Sequence, residues 1–245
     1  MISKNQVKFI KSLHKSKYRR SELKFIIEGV KVVEEFLNSS FNIIAIYATS
    51  DWIDTNISNH DNINEISKQE LQSISMLKSP NQVMAVVEYP KVEIFNYQDG
   101  DLILALDTIQ DPGNFGTIIR IADWFGIKKI ICSKDTADAY NPKVVQATMG
   151  ALTRVQIQYV NLVDWINQLS KDVAVYGTLL DGDNMYNTKL SKEGIIVVGN
   201  EGNGISQEVQ QVLTNRIKIP AYGNSMMESL NVAIATSIVC AEFRR

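Results

Sequence analysis

Three short segments, far apart in the chain, hold the side chains best suited to do chemistry. The first runs Asp111-Pro112-Gly113-Asn114-Phe115-Gly116 and has Arg120 shortly after it. The second is Gly199-Asn200-Glu201-Gly202-Asn203-Gly204, and the third is Ser229-Leu230-Asn231, preceded by Ile219-Pro220. Carboxamides, a carboxylate, a hydroxyl and a guanidinium beside bare glycine backbone can orient a ligand and stabilise developing negative charge. The two histidines, His14 and His60, lie outside all three segments, so a histidine-based mechanism is not expected. Cys132 and Cys240 have neither metal-ligand nor disulfide spacing, and no metal is expected.

The second segment invites comparison with two phosphate loops and fails both. A dinucleotide fingerprint would need glycine where Gln207 stands after Gly202 and Gly204. A P-loop would need lysine where Ile205 follows Gly204. Glu201 would repel a phosphate, so the loop suits an uncharged or cationic ligand against open backbone; the plain alternative is a glycine-rich turn. A dinucleotide-dependent oxidoreductase is thereby disfavoured. In the first segment Pro112 and Gly113 enforce a turn, and a helix is predicted over 114–125. Ile118, Ala122 and Phe125 would share its core face. Gly116, Arg120 and Asp123 would share another, placing Arg120 near the crevice or, alternatively, in a surface pair with Asp123. Ser229 is the predicted N-cap of the last helix, with Asn231 in its first turn, where a buried amide needs a partner.

The elements that must position these segments read as an α/β chain. Apolar runs at 102–107, 129–132, 173–177, 194–199 and 216–219 alternate with helical patterns at 114–125, 142–152, 162–169, 206–213 and 229–243. Such alternation implies a parallel sheet covered on both faces, with ligands beyond the carboxyl ends of its strands. The last helix is apolar on most sides, which predicts burial in the core or against another subunit. Residues 1–95 form a smaller alternating unit: basic helical sequence, a helix around 28–37, a strand at 41–48, a helix at 68–75 and a strand at 83–89. A linker is predicted over 89–100, dividing the chain into 1–95 and 96–245.

Net charge is −2, but its distribution is uneven. Residues 1–31 hold nine Lys or Arg against two acids, Glu22 and Glu28, which points to a polyanion partner or to a solvated helix face. No apolar run suits a membrane span and no secretory signal opens the chain, so a reducing cytoplasm is the expected home.

In order and spacing, the three segments resemble the SpoU (TrmH) branch of the SPOUT methyltransferases. The likeness lies in Asp111-Pro112-Gly113-Asn114 with Gly116, Arg120, Ala122 and Gly126; in Gly199-Asn200-Glu201-Gly202 with Gly204 and Ser206; and in Ile219-Pro220 with Glu228-Ser229-Leu230-Asn231-Val232. It spans residues 100–245. Residues 8–28 also resemble the front of the family's appended RNA-binding domain, which is similar to a ribosomal protein. One departure is the stretch 221–227, longer than the family's pattern.

The resemblance implies a parallel-sheet methyltransferase domain tied in a deep trefoil knot, a rare topology that composition could not reveal, with a smaller N-terminal α/β RNA-binding domain. It also implies a homodimer and bound S-adenosylmethionine. The cofactor would be surrounded by Thr178, Leu179, Gly199, Asn200, Glu201, Ile219, Ala221, Ser229 and Leu230. The implied reaction is methylation of a ribose 2′-hydroxyl in ribosomal RNA, with transfer RNA as the alternative substrate. By motif position Arg120 is the catalytic arginine. An electrostatic role is favoured over that of a base, since a guanidinium pKa lies above about 12. Asn114 and Asn231 would orient the ribose and its phosphate, Glu201 would position Arg120 or Asn231, and Ser229 would hold the substrate or the loops. Lys8, Lys11, Lys15 and Arg19 would capture RNA phosphates. Methylation of a base nitrogen, or an inactive RNA-binding assembly factor, are the competing readings.

Overall fold

The computed structural model describes residues 2–56, 62–91, 94–223, 227 and 229–245. His60 and Glu228 lie outside the described residues, as does 224–226 in the long stretch before the last helix. The chain parts into two units: residues 1–91 with 138–153, and 92–137 with 154–245. The single boundary expected at 95/96 thus falls at 91/92, and a piece of the second half belongs to the first unit.

In the first unit, α1 (Lys4–Ser12) is started by a capping box in which Ser3 and Gln6 satisfy each other's backbone N–H. Then follow α2 (Ser16–Glu22), β1 (Lys24–Glu28), α3 (Val30–Leu37), β2 (Ile43–Ala48), α4 (Ser50–Thr55), β3 (Ile63–Glu65), α5 (Lys68–Ile74) and β4 (Val83–Glu88). The sheet order is β1-β4-β2-β3, with β4 antiparallel to both neighbours. β1 was hidden in sequence because its short apolar run adjoins basic helical sequence; its Phe25, Ile26 and Ile27 are buried.

The second unit opens with β5 (Leu102–Leu106), α6 (Pro112–Trp124) and β6 (Lys129–Ser133). α7 (Pro142–Thr148) follows in the chain but packs in the first unit, on β1. It is shorter than the predicted 142–152, because Met149 and Gly150 both take positive φ and break the helix. Tyr140, from the same returning stretch, stacks with Phe25 and Tyr89, which is why 138–153 belongs with the N-terminal core.

The second unit continues with β7 (Gln156–Val160), α8 (Leu162–Asn167), β8 (Val175–Asn184), β9 (Gly194–Val198), α9 (Gln207–Gln210), β10 (Asn215–Lys218) and α10 (Val232–Arg244). The strands form one parallel sheet ordered β10-β8-β9-β5-β6-β7. β7 escaped the sequence reading because it is an edge strand with no fully buried residue. Every residue of β5 and β9 is buried, as a sheet covered on both faces requires. Leu162, Trp165 and Ile166 of α8 and Val209 of α9 pack with Ile103, Ile131, Ile195 and Val197 of the sheet. α10 packs beside α6, and Phe243 meets Tyr176 edge-on.

Candidate active site

β5 leads directly into Asp107, which is buried and receives the Ser206 N–H at 2.8 Å and the Thr108 hydroxyl at 3.2 Å. Thr108 then takes φ 61°, a left-handed backbone that a β-branched residue rarely adopts. It is held there from both sides: its N–H donates to Ser133 Oγ at 2.8 Å, and its carbonyl accepts from Asn200 Nδ2 at 2.8 Å. Asp107 and Thr108 were missed as site residues. The available signal was an acid closing an apolar strand directly before the first segment.

Asp111 caps α6 by accepting the Asn114 N–H at 2.8 Å, with Pro112 inside the first turn. That start aims the Asn114 side chain at the loop after β9, where its Nδ2 donates to Glu201 Oε1 at 3.0 Å. Asn231 Nδ2 in turn donates to Asn114 Oδ1 at 3.0 Å. All three segments therefore meet in one chain of hydrogen bonds, Asn231 to Asn114 to Glu201. Its direction is fixed at one end, because Glu201 can only accept, so the Asn114 amide must present nitrogen to it and oxygen to Asn231.

The Gly199–Gly204 loop folds back on itself: Asn200 and Gly204 exchange both backbone hydrogen bonds. Asn200 Oδ1 accepts the N–H groups of Gly202 and Asn203. Expected as a cofactor contact, Asn200 has its backbone and side chain engaged in shaping the loop. A Cβ at Gly199 would stand 2.2 Å from the Gly204 carbonyl carbon, so this turn requires glycine. Beside it, consecutive residues of β10 pair on either side of an outward excursion of β8: Arg216 with Gly177, then Ile217 with Asp183. Thr178 and Leu179 sit on that excursion, and the Thr178 hydroxyl holds the Val197 carbonyl at 3.0 Å. Leu179 and Ile219 are half-buried, while Ala221, Ser229 and Leu230 are exposed.

Four expectations need correction. Asn231, not Ser229, is the N-cap of α10: its Oδ1 accepts from Ala233 and Ile234 at 3.0 and 3.3 Å, and the helix starts at Val232. Glu201 holds Asn114 and reaches Asn231 only through it. Asp123 pairs with Arg154 at 2.9 Å, leaving Arg120 exposed and without a hydrogen bond or ion pair among the described residues. Arg19 is a structural cation in the first unit, not a free RNA contact. Its side chain is buried against Asp138 and donates to the Leu13 and His14 carbonyls at 3.1 and 3.0 Å. Lys8, Lys11 and Lys15 are exposed.

Both thiols are buried. Desolvation pushes Cys240 up to about 12 and Cys132 well above its ordinary value, so neither offers a thiolate. No cluster of metal-ligating side chains occurs among the described residues. No helix among them is long and apolar enough to cross a membrane.

Comparison with known proteins gives matches over both units. The SpoU rRNA Methylase family model matches residues 101–241, and that of the MRM3-like substrate binding domain matches residues 4–85. The 23S rRNA (guanosine(2553)-2'-O)-methyltransferase RlmP of Bacillus subtilis is 31% identical, over 99% of this chain and 97% of its own. A TrmH-family protein from Porphyromonas gingivalis is 42% identical with a TM-score of 0.90, covering 100% of this chain and 98% of that one. An AdoMet-bound rRNA methyltransferase from Sinorhizobium meliloti is 29% identical with a TM-score of 0.87, covering 100% and 96%.

Proposed function

Because the chain belongs to the SpoU rRNA methylase family, we propose that it transfers a methyl group from S-adenosylmethionine to a ribose 2′-hydroxyl of ribosomal RNA. The observation that carries this reading is the hydrogen-bonded chain Asn231–Asn114–Glu201, which draws one residue from each segment into a single polar site.

The residues present fit the cofactor. The turn at Gly199 and the loop after it present backbone without a cation, and Glu201 favours a positively charged ligand. Thr178, Leu179, Ile219, Ala221, Ser229 and Leu230 supply a largely apolar surround. When bound, S-adenosylmethionine supplies an electrophilic methyl on a sulfonium sulfur that departs with the bonding pair. The protein's part is position, charge and handling of the 2′-hydroxyl proton.

Glu201 locks Asn114, and Asn114 locks Asn231, so neither amide must reorganise during the reaction. Each Nδ2 keeps one further N–H, and these two donors can hold the ribose oxygen and its phosphate. Arg120 acts electrostatically: its guanidinium binds the adjacent phosphate and stabilises the 2′-oxygen as the proton leaves for solvent. Ser229, just before the α10 cap, holds substrate at the rim. Lys8, Lys11 and Lys15 capture RNA phosphates from the N-terminal unit. A knotted methyltransferase domain, a homodimer that completes the site and a cytoplasmic setting belong to the same reading.

The test is direct. Purified protein is incubated with S-adenosylmethionine and either ribosomal or transfer RNA, and digested nucleosides are resolved by mass spectrometry. A 2′-O-methylnucleoside from ribosomal RNA is expected. A base-methylated nucleoside, or cofactor binding without any product, would refute the reading; product from transfer RNA alone would reassign the substrate.

A further inference from the structure

The first unit keeps its aromatic side chains inside, with one exception. Phe25, Phe36, Tyr47 and Trp52 are buried, whereas Tyr18 is 42% exposed. It is the one exposed aromatic residue of that unit among the described residues, and no hydrogen bond to its hydroxyl occurs among them. Tyr18 stands on α2, whose orientation Arg19 fixes. With Arg19 drawn inward onto Asp138 and the Leu13 and His14 carbonyls, its neighbours Lys17, Tyr18 and Arg20 must face solvent. The Tyr18 N–H bonds the Lys15 carbonyl at 3.1 Å, so Lys15 lies one helical turn before the ring. Leu23, at φ 50°, then ends the helix.

The exposed charge of residues 1–31, the segment that carries Tyr18, is lopsided. Of the two acids in residues 1–31, Glu28 is buried, and Glu22 is the one left exposed. Lys4, Lys8, Lys11, Lys15, Lys17 and Arg20 are all exposed. An aromatic face between cations matches the surface of an RNA strand whose bases are unpaired. Phosphates meet the cations, and the π-face of any base can lie on the ring. A duplex would present the same phosphates but no free base face.

We propose that α2 holds single-stranded RNA, with Tyr18 stacking on an unpaired base between Lys15, Lys17 and Arg20. This extends the RNA reading above and rests on it, because it specifies the state of the RNA at the N-terminal unit. The ring's part is to hold RNA. It selects a loop or bulge over a helix, and its tolerance for base identity leaves sequence choice to other contacts.

The experiment measures binding of the whole protein to poly(U) and to a fully paired RNA duplex at fixed salt. The variants are Tyr18→Ala, Tyr18→Phe and the triple Lys8→Glu/Lys11→Glu/Lys15→Glu, with thermal melting as the check on folding. Tyr18→Ala should weaken poly(U) binding by roughly 10-fold and leave the duplex unchanged. Tyr18→Phe, which keeps the face and loses only the hydroxyl, should bind as wild type. The proposal is overturned if Tyr18→Ala binds poly(U) normally, if it loses both RNAs equally, or if Tyr18→Phe falls with it. Unchanged binding of both RNAs by the triple variant would remove the underlying RNA-capture reading instead, and the stacking proposal with it.

Discussion

Asn231→Asp separates the two tasks that one side chain performs. Asn231 Oδ1 caps α10, and Nδ2 donates to Asn114 Oδ1 at 3.0 Å. Aspartate caps a helix about as well as asparagine, and its charge suits the helix N-terminus. The cap therefore survives, while the donor becomes a second acceptor facing the Asn114 oxygen. Asn114 cannot relieve this by turning its amide over, because its oxygen would then face Glu201. One contact must fail, at a cost of about 1–3 kcal/mol for a hydrogen bond involving a charged group. The same contact belongs to the resting fold, so part of that cost should show as a lower urea midpoint; where the geometry also serves attack on the 2′-oxygen, kcat/KM falls by about 5- to 150-fold. Asn231→Ala should lose both the cap and the activity, with about 1 kcal/mol off stability. The decisive comparison is Glu201→Ala combined with Asn231→Asp. Residues in one hydrogen-bonded chain should show effects that do not add. Wild-type kcat/KM in Asn231→Asp, or strict additivity in the double variant, would refute the relay.

Arg19→Ala strips the partner from Asp138 in a buried pair, so chemical denaturation should report a loss of about 3–5 kcal/mol; a change within about 0.5 kcal/mol would return Arg19 to the surface. Gly199→Ala should abolish S-adenosylmethionine binding in calorimetry, since its Cβ would overlap the Gly204–Ile205 backbone, whereas Gly202→Ala, 3.6 Å from Asn200 Oδ1, should leave the loop folded. His14 has a folded pKa lowered by burial, so the neutral form is the one folding favours and stability should fall as pH drops through its ordinary value of 6.5. Thermal melting from about pH 7 down to about pH 5 should show that fall in wild type and a shallower one in His14→Gln.

How much was legible in the sequence depended on whether a local rule or a distant partner decided each feature. The strands of the second unit were readable because burial on both faces forces continuous apolar runs such as Leu102–Leu106 and Gly194–Val198. β7 follows no such rule at the sheet edge. Asn231 as the cap was obscured because Ser229 is an equally good capping residue; the choice falls to Asn114, well over one hundred residues away in sequence, which holds the Asn231 amide. Arg19 shows the same limit more sharply. Its basic neighbourhood reads as a nucleic-acid face, and only the returning stretch 138–153 supplies the carboxylate that draws it inward. The glycine at 199 could be recognised as a turn former, but the close return of Gly204 that makes it obligatory is a tertiary fact.

Arg120 poses the remaining mechanistic question. It follows Asn114 by six positions on α6, which turns it well away from the relay. It shares its exposed face with Thr117 and with Trp124, 85% exposed. Neighbouring α10 exposes Ile234 at 55%, with Leu230 just before it at 50%. Apolar groups this large, left uncovered on α6 and at the start of α10, suit burial against a second copy of the chain, in which each Arg120 would serve the other's relay. Subunit complementation decides this. Arg120→Ala and Asn231→Asp proteins, each deficient alone, are denatured together and refolded as a mixture. If Arg120 acts across the two-fold axis, half of the dimers are mixed and each has one intact site, so activity should recover to about a quarter of wild type. Action within its own subunit leaves every site carrying one defect, and the mixture would show no more activity than its components.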